Sequence, residues 1–314
     1  MTATREPSPV EAPTERRHPG TRDLDLLPTL DLLRVINHDD ALVAPAVEAA
    51  LPAVAAAVDL AVAALAAGGS VHYFGAGTSG RVAAMDAAEL PPTYGLAPGR
   101  VVAHHAGGAD ALEAALENVE DDLGSGAADA GALREGDVAV GLTASGRTPY
   151  VAGALAEARR LGAHTVLVSA NPEAEIAAVA GVHICVETGP EVLAGSTRMK
   201  AGTAQKLVLN AFSTATMVRL GHTYSNLMTN VVAKNAKLHG RMVAILAEAS
   251  GRDLDTCGQV LRECDGDLKL ALVRLLGNVD AARAQAALDA AGGIIRAALR
   301  HLDSDLPTIP GRDH

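Results

Sequence analysis

The chain has 314 residues, 49% of them apolar and 2% aromatic, with no Trp and a formal net charge of -11. That length accommodates one large α/β domain, or a domain with a smaller appendage. So few aromatics leave little for a base-stacking surface, and the negative charge repels nucleic acid and acidic membranes at long range, so neither is expected as a partner.

Residues 1–20 carry Pro7, Pro9, Pro13 and Pro19 among charges and small residues, which predicts a mobile N-terminal tail. A helical region is expected from about Leu30 to Ala67, punctuated near Asn37 and Asp39–Asp40. Its Ala-rich run resembles a membrane span, but Glu48, Pro52 and Asp59 interrupt it, so it reads as a buried helix. From Ser70 short apolar runs alternate with stretches that read as helices, at 80–90, 110–123, 148–162 and 172–180. The candidate strands are 71–74, 101–104, 138–142, 165–169 and 182–186. Strands buried on both faces and separated by crossover helices predict a parallel, doubly wound α/β sheet.

A long helix is expected over 196–221. Beyond it the strand signal stops, and helical patterns run on with breaks at Gly251, Gly266, Gly277 and Gly292–Gly293. The expected division is therefore a tail (1–20), an α/β domain with N-terminal helices (21–220) and a C-terminal helical region (221–314). Cys185, Cys257 and Cys264 are odd in number and lack C-x-x-C spacing, which fits the reducing cytoplasm.

The stretch "FGAGTSGR" holds Gly75, Gly77 and Gly80, the G-x-G-x-x-G spacing of a dinucleotide loop. A dinucleotide site also needs an acid about 20 residues on, at the end of the second strand. Here His104 and His105 stand at that point. The chain also builds this kind of loop twice, since "GLTASGRTP" follows another strand and leads into another helix. Gly77, Thr78, Ser79 and Gly80 in the first loop, and Ser145, Gly146 and Thr148 in the second, offer backbone N–H groups at helix starts and rotatable hydroxyls. A compact phosphomonoester gripped by two loops fits better than a pyrophosphate on one. The plain alternative is a pair of tight strand-to-helix turns.

These motifs, with "GSTRMKAGTAQKLVLN", resemble the sugar-isomerase (SIS) domain. "TERRHPGTRDLD", "DAAELPPTYG", "ALENVEDD", "SANP" and "YSNLM" narrow the resemblance to the N-acetylmuramic acid 6-phosphate etherase family, over about residues 14–300. The resemblance implies a three-layer α/β/α sandwich with a parallel five-stranded sheet, a small C-terminal helical subdomain, and a homodimer. It implies removal of D-lactate from a phosphosugar with no metal and no cofactor. His18 departs from the family, which usually has Asn there.

By this resemblance the catalytic residues are Glu89, the acid that protonates departing lactate, and Glu120, the base at C2. Residue chemistry alone does not choose them. Glu89 also reads as a solvated helix end, and Glu120 lies among Glu117, Asp121 and Asp122, a cluster typical of a solvated face. A neutral carboxyl acid needs burial or a like charge nearby, and the apolar neighbours and Pro pair of "ELPP" are expected to supply the former by ending the helix there.

Ser79 and Glu89 are ten residues apart. On one straight helix that is ~15 Å, longer than a hexose phosphate from phosphorus to C3. Either the helix bends or ends early, or Glu89 serves a phosphate bound by the other subunit of a dimer with shared active sites. Glu191, Ser196, Thr197 and Lys206 are further substrate-site candidates, with structural roles as their alternatives: helix capping for the serine and threonine, a surface charge for the lysine. No His or Cys spacing suits a metal. Two other functions compete with the etherase: a non-catalytic phosphosugar-binding regulator and a phosphosugar isomerase.

Overall fold

The computed structural model describes residues 12–114, 116–230 and 236–304. The proline-rich start is not a tail throughout. Short 3-10 turns form at Pro13–Glu15, Pro19–Thr21 and Leu24–Leu26, and Ala12 and Thr14 are fully buried. Two long-range bonds hold this segment, Gly195 N–H to Thr14 O at 3.1 Å and Thr21 Oγ1 to Val192 O at 2.8 Å. The remainder of the expected tail lies outside the described residues.

Helices α1 (Thr29–Asp40) and α2 (Val43–Ala66) follow, separated where the aspartates predicted a break. By length and composition α2 could cross a membrane. Its residues Val47, Ala50, Val54, Ala57, Val58, Ala61 and Leu65 instead recur at helical spacing on one buried face, which packs against the sheet.

The sheet alternates strands and helices: β1 (Val71–Gly75), α3 (Gly77–Tyr94), β2 (Val101–His105), α4 (Asp110–Glu113), α5 (Leu123–Ala130), β3 (Val138–Leu142), α6 (Pro149–Arg160), β4 (His164–Ser169), β5 (Val182–Cys185) and α7 (Lys200–Arg219). All five strands are parallel, in the order β2-β1-β3-β4-β5. Successive side chains of β1 face opposite layers. Phe74 joins Tyr150, Leu155 and Leu167 under α6, while Tyr73 meets Phe212 of α7 edge-on. This is the three-layer α/β/α sandwich the resemblance implied. Because β1 lies between β2 and β3, the connections leaving β1 and β3 diverge there, which makes their carboxyl ends the topological switch point of the sheet.

Three local expectations fail. Helix α3 continues through Pro91 and Pro92 to Tyr94 instead of ending at them. Proline removes a backbone donor but has a helical φ, and the last turn still closes through Gly95 N–H to Pro91 O at 3.0 Å. The stretch expected as one helix over 110–123 breaks into α4, a 3-10 turn at Val119–Asp121 and the start of α5, with Asn118 left-handed at φ 64°. The stretch 172–180 forms only a 3-10 turn, Glu175–Val179.

The chain divides into two compact units, Met1–Ala88 with Pro98–Thr216 and Glu89–Ala97 with Met217–His314. The boundary expected at 220/221 thus falls at Thr216/Met217, and the segment following "DAA" groups with the C-terminal unit. That unit opens with a hairpin the sequence did not suggest, β6 (Thr223–Tyr224) and β7 (Leu227–Met228). It continues with α8 (Ala236–Ser250), α9 (Leu254–Glu263), α10 (Leu268–Gly277), α11 (Ala281–Ala290) and α12 (Ile295–Ser304) around Leu246, Cys257, Leu261, Leu272 and Ala298. Asp253, Asp267 and Asp280 start three of these helices by accepting N–H bonds from Thr256, Leu270 and Arg283 at 2.8, 2.9 and 2.8 Å.

Candidate active site

Strand β1 ends at Gly75, and the chain turns at once into α3. The turn is tight enough that strand end and helix start touch through bare backbone. A Cβ on Gly75 would lie 2.7 Å from Gly80 N, and one on Gly80 would lie 2.6 Å from Gly75 O. Gly77 takes φ +54°, which glycine adopts readily and most residues do not. The first-turn N–H groups of Gly77, Thr78 and Ser79 have no intrahelical acceptor, and with the helix dipole they favour an anion.

The second loop leaves β3, whose Leu142 lies opposite Gly75 in the sheet. Its hydroxyls are organised by one another. Thr143 Oγ1 lies 2.8 Å from Thr148 Oγ1 and accepts Gly146 N–H at 3.3 Å, while Ser145 Oγ accepts Arg147 N–H at 3.3 Å. Asn171 Nδ2 donates to Ser145 O at 2.8 Å and ties the loop to the end of β4. Gly146 is left-handed, and a Cβ there would meet Ala174 Cβ at 2.3 Å. Thr148, although at the N-cap of α6, spends its hydroxyl on Thr143 and not on the helix. The two loops singled out in the sequence therefore sit side by side at the switch point.

A third segment abuts the first loop. Gly202, in the first turn of α7, packs so closely on Thr78 that a Cβ would lie 3.1 Å from Thr78 Cγ2. Ser196 and Thr197 are half-buried just before this helix, and Thr197 O accepts Gly202 N–H at 2.9 Å. Lys206 is exposed further along α7. Glu191 is fully buried, and its oxygens accept Lys200 N–H and Ala201 N–H at 2.9 and 3.0 Å. Burial raises its pKa, and these two bonds partly offset the rise. Its carboxyl thus caps the start of α7. Lys200 Nζ reaches Asp39 Oδ2 at 2.8 Å, and His18 Nε2 lies 3.3 Å from Asp39 Oδ1. His18 Nδ1 accepts Gly20 N–H at 3.1 Å, so the proton resides on Nε2, directed at Asp39. The departure at His18 therefore still makes a polar contact.

Sequence reasoning missed two braces. Arg81, directly after the first loop, donates from Nε to Leu112 O at 2.8 Å and from Nη2 to Ala111 O and Ala114 O at 2.8 and 3.2 Å. His105 is buried at the end of β2 against Gly77 and Gly80. The basic residue after G-x-G-x-x-G and the histidine in place of the ribose-binding acid were the available signals.

Comparison with known proteins fixes the family. Residues 53–159 match the model described as glucokinase regulatory protein N-terminal SIS domain, and residues 118–215 match the SIS domain. A curated protein from Thermobifida fusca (strain YX), named N-acetylmuramic acid 6-phosphate etherase, is 64% identical over 267 residues, covering 85% of this chain and 88% of its own. The chain belongs to the N-acetylmuramic acid 6-phosphate etherase family. Etherases from Symbiobacterium thermophilum and Pectobacterium atrosepticum are 52% and 49% identical, over 85% and 91% of this chain and 89% and 95% of theirs.

In this etherase-family chain both candidate carboxylates are exposed. Glu89 lies on α3 beside the buried Leu90, but Ala88, Pro91 and Pro92 are exposed with it, so the apolar neighbours expected to enclose its carboxyl do not do so. Glu120 sits on the 3-10 turn after Asn118. Of its acidic neighbours, Asp122 is committed as the N-cap of α5, accepting Ser125 N–H at 3.0 Å.

Proposed function

We propose that the chain cleaves the D-lactyl ether of N-acetylmuramic acid 6-phosphate, giving N-acetylglucosamine 6-phosphate and D-lactate. The observation that carries this reading is the 64% identity with a curated etherase over 85% of the chain. The paired hydroxyl-rich loops at the switch point support it as a seat for the sugar phosphate, through Gly77, Thr78, Ser79 and Gly80 on one side and Ser145, Gly146 and Thr148 on the other. Ser196 and Thr197, beside Gly202, contact the sugar.

The chemistry follows from the substrate. The C2 hydrogen is acidic only when C1 is an open-chain aldehyde. Glu120 takes that proton, the C3–O bond breaks, and Glu89 protonates the departing lactate oxygen. Water then adds at C3 of the unsaturated aldehyde, and a proton returns to C2. The steps are proton transfers, an elimination and a hydration, with no net oxidation or reduction.

The working unit is a homodimer with shared sites. Helix α3 is continuous from Ser79 to Glu89, a rise of ~15 Å that exceeds the span of the substrate. Both glutamates are open to a second copy, and Leu26, Leu30 and Leu33 are 75%, 58% and 56% exposed, an apolar strip that a partner would cover. The free thiols of Cys185, Cys257 and Cys264 suit the cytoplasm.

The test is D-lactate release from N-acetylmuramic acid 6-phosphate with a chelator present and no added cofactor. Steady release, abolished by Glu89→Gln, is the expected result. Mixed dimers of Glu89→Gln with an inactive loop variant should regain part of the activity, and no recovery would sink the shared site. The match to a regulatory protein's SIS domain over 53–159 favours one second reading, a phosphosugar sensor. Folded protein that binds hexose phosphates and releases no lactate would establish that instead.

A further inference from the structure

The two loops offer a phosphate only neutral donors, in a chain of net charge -11. The cations closest in sequence to them are engaged elsewhere. Arg81 is spent on the three carbonyls of the 111–114 segment. Arg147 pairs with Glu175, Nε to Oε1 at 3.1 Å. Lys200 is buried against Asp39. Arg198 stands exposed on the turn before α7.

His105 differs from all of these. The residue is 7% exposed and its ring sits directly behind the first loop, where a Cβ on Gly80 would lie 2.3 Å from His105 Cδ2. Nδ1 lies 2.8 Å from Ala106 O, and Nε2 lies 3.1 Å from Gly77 O. Both partners are backbone carbonyls, which only accept. A neutral imidazole has one donor, so one of these contacts would place two lone pairs face to face in a buried site. Only the imidazolium, with a proton on each nitrogen, satisfies both.

We propose that His105 is held as an imidazolium and is the positioning residue that makes the first loop an anion seat. Its action runs through one peptide group. Nε2–H donates to the Gly77 carbonyl, and the N–H of that same peptide unit belongs to Thr78, one of the free donors of the first turn of α3. A charged donor on the carbonyl polarises the peptide and strengthens Thr78 N–H toward an anion. The cation stays buried, so it adds positive potential without touching the ligand. This explains why histidine ends β2 where a dinucleotide site carries an acid: the acid would repel a phosphate that the imidazolium attracts.

The inference rests on the reading of the first loop as a phosphate seat, and the test separates the two. Wild-type protein and His105→Gln are compared for binding of inorganic phosphate and N-acetylglucosamine 6-phosphate by calorimetry, with Arg198→Ala as a control for the exposed cation. Ring nitrogen shifts of His105 are read by NMR near pH 7 on the wild-type protein, assigned by ring-to-backbone correlation. The expected result is two protonated ring nitrogens and an affinity for both ligands reduced about tenfold or more in His105→Gln, beyond the loss in Arg198→Ala. Glutamine retains an N–H donor for Gly77 O, so a merely structural role predicts little change. One unprotonated ring nitrogen in the wild-type spectrum overturns the proposal even if the variant fails to fold. Equal affinity in a folded variant overturns it as well. Wild-type protein that binds neither ligand overturns the loop assignment, and this inference with it.

Discussion

Lys200 Nζ and Asp39 Oδ2 meet at 2.8 Å with both side chains almost wholly removed from solvent. Asp39 also faces His18, and the backbone of Lys200 is held by Glu191, so one buried group joins α1, the N-terminal segment and the start of α7. Removing one partner of such a pair leaves an uncompensated charge. Asp39→Ala should therefore cost about 3–5 kcal/mol in urea unfolding, whereas Asp39→Leu combined with Lys200→Met should recover much of the loss. A double variant as unstable as the single would show that the pair does more than cancel its own burial.

Acid should weaken the fold at a second place. His72 Nδ1 and His104 Nε2 lie 2.9 Å apart on adjacent strands, and the rings stack with Phe74. Burial and the neighbouring His104 hold His72 down from the ordinary 6.5 to about 4, with Asp137 opposing. Burial lowers His104 as well, against the pull of Asp129. Protons therefore bind the unfolded chain more readily. The contribution of this pair is intact above pH ~6.5 and is lost as pH falls toward about 4. Urea midpoints taken across that range should decline, and His104→Phe should flatten the decline. An unchanged slope in the variant would assign acid sensitivity to other groups.

The framework of the sheet was legible because strands buried on both faces leave unbroken apolar runs. Each expected strand falls within a residue of its observed bounds, as 71–74 does against Val71–Gly75. The paired loops were legible as strand-to-helix turns because Gly and hydroxyl residues recur together after two of the strands. What escaped depended on partners remote in sequence. Nothing near Asp39 announces Lys200, and nothing near His105 announces Gly77 O. The path of α3 through Pro91–Pro92 escaped because the bond that closes the turn beyond them, Gly95 N–H to Pro91 O, uses a proline carbonyl and not the missing donor. The hairpin at 223–228 escaped because two-residue strands carry no alternation.

Arg81 provides a test of the role proposed for Glu120. Its guanidinium gathers the carbonyls of Ala111, Leu112 and Ala114 and so fastens the chain leading to Glu120 onto the first turn of α3. Lysine cannot reproduce that fork. Arg81→Lys and Arg81→Ala should both lower kcat by about ten- to a hundredfold through misplacement of the proposed base. KM should change less, because the loop donors remain. Steady-state lactate release distinguishes this from a phosphate-binding role for Arg81, which would raise KM at constant kcat.

Two glycines of the first loop are glycine for different reasons, and alanine tells them apart. At Gly77 the obstacle is backbone conformation alone: φ is +54° and no atom lies within 4 Å of the position a Cβ would take. Gly77→Ala should cost about 1–2 kcal/mol of stability and leave the geometry of the loop in place. At Gly80 the obstacle is contact, since the added carbon would press on Gly75 O at 2.6 Å and on the His105 ring at 2.3 Å. Neither neighbour can yield without parting the strand from the helix or moving His105 off Gly77 O. Gly80→Ala should therefore lose phosphate affinity out of proportion to its loss of stability, while Gly77→Ala loses stability with affinity largely kept. Thermal unfolding and phosphate calorimetry on the two variants give the comparison. Equal losses of affinity would mean that the loop is read by the ligand through its flexibility and not through the close packing seen between Gly75, Gly80 and His105.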